Sequence, residues 1–202
     1  MSVANSPVTT AAVPTVRPRV QPRRKGHFTV PPVALIALIA TGALGAAALA
    51  VRGAPSPVQF NMPLLAHLSG MLAGYGVALM LVLMSRVPAL ERGVGADRLA
   101  RWHALGGRAN FVLIAIHAVC ATLAWTSLTG LSIGLATLRL LQLPWLLPAT
   151  IGTIMMFAIG MASMRAARRR LSYERWHLLH LSAYLAAGLA FVHQLAGPDL
   201  AG

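Results

Sequence analysis

The sequence predicts an all-α, polytopic membrane helical bundle with about five transmembrane helices. Three observations predict it. Of 202 residues, 57% are hydrophobic and only 10% charged, where a soluble domain carries about 25% charged residues. Several apolar runs approach about 20 residues, the length of helix that crosses a hydrocarbon core about 30 Å thick. Two of the runs hold histidines at near-matching spacing: His103 and His117 are fourteen residues apart, His180 and His193 thirteen.

Taken in order, residues 1–32 are rich in Pro, Val, Thr and Arg without apolar periodicity, and are expected to form a disordered basic tail. Residues 33–198 are expected to form the membrane domain and residues 199–202 a C-terminal stub. The uncharged run 33–51 is longer than the apolar core of about 7 to 15 residues in a signal peptide, so it is read as an uncleaved first span. Gly53, Pro57 and Pro63 mark a turn before the second span, 64–84. Residues 85–101 carry four arginines, with Pro88 and Gly93 as breakers, and are expected to be a short basic loop. The third span is placed at 102–125. The piece within 127–144 is too short and too polar to span, and is expected to be an interfacial helix or a re-entrant loop. The fourth and fifth spans are placed at 145–163 and 176–195.

The net charge of +13 would suggest nucleic acid in a soluble protein. Here the cations collect at the ends of apolar runs, so they are read as a topology signal and no nucleic-acid partner is expected. Fifteen of the seventeen Lys and Arg residues lie in the tail, around 86–108 and in 165–175; Arg52 and Arg139 fall on the other side. The positive-inside rule then predicts a multi-pass protein of the plasma membrane with its N-terminus in the cytoplasm. Cys120 stands alone, so neither an intrachain disulfide nor a zinc cluster can be drawn.

Fourteen helical steps bring His117 back to within about 40° of His103 and place it about 21 Å further along the axis. One apolar face thus carries two imidazoles at opposite depths of the bilayer, where histidine is costly unless it is hydrogen-bonded, hydrated or ligated. The predicted topology runs the helix of His180 and His193 in the same direction, so like levels would pair. Two neutral imidazoles can ligate a haem iron from both sides, leaving a site that transfers electrons. The candidate ligand set is therefore His103, His117, His180 and His193 for two haems. His177 rivals His180 because RWH occurs at 101–103 and again at 175–177, and because thirteen steps leave His180 and His193 about 140° apart on an ideal helix. Gly106 and Gly107 would remove side chains beside His103, while Arg101, Arg108 and Arg175 could pair with haem propionates. Trp102 and Trp176 read as interfacial anchors, and His67 as a packing residue.

The stretches LSGMLAGY, MSRVPALERGVGADRLARWHALGGR and MRAARRRLSYERWHLLHLSAY, with the two histidine spacings, resemble the ferric reductase-like transmembrane family, the membrane module of ferric reductases and NADPH oxidases. The resemblance covers about residues 60–198. It implies two b haems held by the two histidine pairs, His180 rather than His177 at the inner site, and electron transfer from a cytoplasmic flavin donor to an extracytoplasmic acceptor. Relatives usually continue into a sixth span and a FAD and NAD(P)H domain. No GxGxxG after a strand is present here, so FAD and NAD(P)H are expected on a further reductase domain or subunit, and the chain is expected not to be catalytically complete alone. Two alternatives stand beside this: a haem-binding subunit of a partner oxidoreductase fed by quinol, and a non-redox transporter or scaffold.

Overall fold

The computed structural model describes residues 28–54 and 57–195, and among these the chain is helical with no strand. Helix α1 spans Pro32–Arg52 and α2 spans Met62–Met84. Each opens with a proline in its first turn, where the missing N–H costs nothing. The side chain of Asn61 caps α2 by accepting from the Leu64 N–H at 3.1 Å.

Residues 85–101, expected as a loop, contain helix α3, Pro88–Val94, and the start of α4, Ala96–Thr129. Pro88 opens α3 instead of breaking it, and Gly93 lies inside it, under the Val30 backbone. The break falls at Gly95, whose φ of 93° suits a residue without Cβ. Residues 28–31, counted with the tail from sequence, are held here, with the Val30 N–H donating to the Ala89 carbonyl at 3.1 Å. The tail proper, 1–27, and the stub, 199–202, lie outside the described residues.

Helix α5, Ile133–Leu141, follows Gly130, which ends α4 in the left-handed conformation. Helix α6 spans Leu146–Ser163 and the single turn α7 spans Arg165–Arg168. Residues 176–195, expected as a fifth span, fall instead in two helices, α8, Tyr173–Leu181, and α9, Ala183–Leu195, parted at Ser182, neither of them alone long enough to cross a membrane. There the Ser182 N–H is shared between the Leu178 and Leu179 carbonyls at 3.3 and 3.2 Å, and its hydroxyl donates to Leu179 at 2.6 Å.

Helices α1, α2, α4 and α6 are each long and apolar enough to cross a membrane. Their outward faces agree: Leu38, Leu44, Val119 and Ile154 are all more than half exposed. Water would penalise such a surface at about 25 cal/mol per Å², whereas hydrocarbon does not. The chain is a multi-pass membrane protein.

With no hydrophobic drive between helices in lipid, close backbone approach holds the bundle. α2 lies along α4 and α1, and α6 lies along α9. At the last contact a Cβ on Gly152 would sit 2.6 Å from the Ala186 carbonyl oxygen and 2.8 Å from the Ala190 nitrogen. Gly152→Ala should therefore destabilise the protein by about 1–3 kcal/mol in thermal unfolding in detergent, while Gly45→Ala, whose new Cβ would meet nothing within 4 Å, should cause no loss.

Candidate functional site

The site begins on α4, where His103, Asn110 and His117 recur every seven residues and so share one face. That face lies against α2, which runs antiparallel. The His103 Nδ1 is 3.3 Å from the Met80 carbonyl oxygen and the His117 Nδ1 is 2.8 Å from that of Ala66. A carbonyl can only accept, so in both rings Nδ1 carries the proton and Nε2 is left with its lone pair. Met80 and Ala66 are themselves fourteen residues apart, so both bonds use one helix register. Gly70 makes the second bond accessible: a Cβ there would lie 2.7 Å from the His117 Nδ1.

Across from α4 stand the other two histidines. The ring centroids of His103 and His180 are 6.0 Å apart with planes at 69°, and those of His117 and His193 are 6.0 Å apart at 31°. The α8–α9 segment thus runs in the same direction as α4, and it presents one imidazole at each level. An ideal helix would have turned His193 well away from His180; the interruption at Ser182 breaks that regular advance. The Nδ1 atoms of His180 and His193 are buried without a hydrogen-bond partner, which is costly unless the rings bind something else.

Each level thus supplies two imidazoles. Among the described residues no group of three or more His, Cys, Asp or Glu is placed to hold a bare metal ion. A metal that brings its own equatorial ligands needs only two axial donors, and metal–imidazole bonds of about 2 Å on both sides would put the ring centroids about 6 Å apart. The donor set fits such a group. Beside the His117–His193 pair is a small, mostly apolar cavity of about 60 Å³, lined by Gly70, Ala73, Ile114, Met156, Ala187 and Phe191 among others.

Residues 69–191 match the family of the ferric reductase like transmembrane component. The chain belongs to this family. No curated protein matches it. Membership of the ferric reductase-like family points to electron transfer across the membrane, and the match takes in three of the four histidines, ending two residues before His193.

Other expected residues of this ferric reductase-like chain fall in different places. His177 is exposed and stacks on Tyr173 at 5.7 Å, so it does not face His103. Gly106 faces α2, where the Met80 side chain already fills the space, whereas a Cβ on Gly107 would meet nothing within 4 Å. Arg101, Arg108 and Arg175 are exposed; Arg108 lies five residues beyond His103 on α4, and its Nε donates to its own helix at Ala104. His67 is exposed near Gly53, and Cys120 is a buried free thiol.

Sequence reasoning missed Gly70, the α2 carbonyls, the stack of Trp176 on His180 and Asn110. The seven-residue recurrence could have shown Asn110. It is 5% exposed, pressed against Gly76, and its Oδ1 has no hydrogen-bond partner. Asn110→Leu should therefore leave stability unchanged or raise it by up to about 1 kcal/mol; a clear loss in thermal unfolding would mean that this oxygen is bonded.

Proposed function

We propose that this protein carries electrons across the plasma membrane through two b haems, one axially ligated by His103 and His180, the other by His117 and His193. The observation that carries this reading is the repetition at two levels of an imidazole pair with centroids 6.0 Å apart. When bound, each haem supplies a centre that accepts and releases one electron, and two imidazoles leave its iron no open position for oxygen.

The protein's own part is to hold, orient and insulate. The Met80 and Ala66 carbonyls fix the tautomer and the plane of the α4 imidazoles, the role of an outer-shell partner. Gly107 and the small residues of α9 leave room beside the rings, and the exposed Arg101, Arg108 and Arg175 stand at the level where propionates would need cations. The lipid-facing side chains keep water and its protons away from the path.

The density of arginine at the His103–His180 end supports placing that end, and the N-terminus, in the cytoplasm. Electrons then come from a reduced flavin on a FAD and NAD(P)H reductase domain or subunit, and leave at the outer face to a ferric chelate or oxygen.

A reduced-minus-oxidised spectrum of the purified protein, with a haem-to-protein ratio, tests this, and two b haems per chain are expected. His117→Ala should remove the outer haem and leave the inner one reducible; equal loss of both signals would count against the ligand assignment. Gly107→Leu should leave the stability of the haem-free protein nearly unchanged yet lower inner-haem occupancy, because the open space beside it is where the macrocycle would lie.

A further inference from the structure

At the arginine-rich end of the bundle a chain of π contacts leads from the surface to the first imidazole pair. Tyr173 is 61% exposed. Its ring centroid is 6.3 Å from that of Trp176, and the Trp176 indole stacks on the His180 imidazole at 5.0 Å with planes 20° apart. His180 in turn faces His103 at 6.0 Å. The Arg168 guanidinium, on α7, lies 4.5 Å from the Trp176 ring centroid and 6.0 Å from that of Tyr173, a cation–π clamp that ties α7 to α8 across the intervening turn.

Trp176 does not behave as a headgroup anchor. An interfacial tryptophan turns its N–H to water or lipid headgroups, whereas here the indole is half-buried and its Nε1 is buried without a hydrogen-bond partner. The ring is held by its faces, against a guanidinium and an imidazole. Electron tunnelling weakens exponentially with distance and is poorer across gaps than through packed conjugated groups. An indole in van der Waals stacking with an axial ligand is the shortest conjugated extension of that ligand toward the arginine-rich surface.

Resting on the two-haem reading, we propose that Trp176 is the positioning residue through which electrons reach the inner haem, coupling a flavin donor at the arginine-rich end to the His180 imidazole. In this step the reduced flavin of the donor loses one electron and releases one proton on its own side. The electron would cross the indole and imidazole without residing on either, and a haem held by His103 and His180 would supply the one-electron acceptor. Arg169, Arg170 and Arg175, all exposed, are near Tyr173 and Trp176 in the chain, so a donor docking there would present an acidic face.

The test uses the full chain with its haems in sealed vesicles, with photoreduced flavin mononucleotide presented on the arginine-rich side. Trp176→Leu should slow inner-haem reduction by about 10- to 100-fold while the haem-to-protein ratio and the oxidised spectrum stay those of the wild type, and Trp176→Phe, which keeps an aromatic face, should recover most of the rate. An unchanged rate in the loaded Trp176→Leu protein overturns the proposal and leaves the two-haem reading standing. Loss of the inner haem from both variants also overturns it, since the indole would then only pack the imidazole. A wild-type protein that binds no haem defeats the underlying reading and this proposal with it.

Discussion

Two hydrogen bonds between antiparallel helices set the geometry on which the rest of this bundle depends. From His103 to Met80 and from His117 to Ala66, an imidazole on α4 meets a main-chain carbonyl on α2, and both bonds belong to one register. At membrane depth an unpaired imidazole N–H costs far more than it does at a wet surface. The bonds remove that cost, and they also decide which nitrogen remains free. Sliding α2 along α4 would break both together, so neither level can adjust without the other.

The opposite wall is built differently. Helix α9 is fixed not by polar bonds but by backbone approach at Gly152 of α6, and His180 of α8 and His193 of α9 keep buried Nδ1 atoms without partners. One imidazole of each facing pair is thus locked by its donor bond while the other is positioned by packing. For the electron-transfer role proposed here this division suits a site that must accept a large flat group: the α2–α4 half is preformed, and the α8–α9 half, interrupted at Ser182, can settle against it. The apolar exterior completes the arrangement, because a low-dielectric surround strengthens interactions inside it and excludes proton leakage.

The arginine-rich end carries more structure than a topology signal requires. Arginines near the end of a span orient the chain in the bilayer, as exposed Arg101 and Arg175 can. Arg168 is different, since it engages Tyr173 and Trp176 by their faces and so joins the turn before α8 to the first imidazole pair.

Fold class, the approximate bounds of the spans and the shared face of His103 and His117 were determined by the sequence alone, because apolar length and a 3.6-residue period act locally and survive wherever a helix stays regular. Gly93 and Pro88 misled for the same local reason: the residues admit a break, but only the docking of Val30 and the φ of Gly95 decided where it falls. The resemblance implied His180 over His177 where the helical wheel did not, and the tertiary structure places it facing His103; the tertiary structure alone decided that Gly107 lies beside open space while Gly106 is covered by Met80, and that Trp176 stacks on an imidazole. A helical wheel extrapolates a constant 100° per residue, and the turn at Ser182 ends that constancy. Which side chain faces which neighbour then depends on contacts between segments far apart in the chain, and these exist only once the helices have packed.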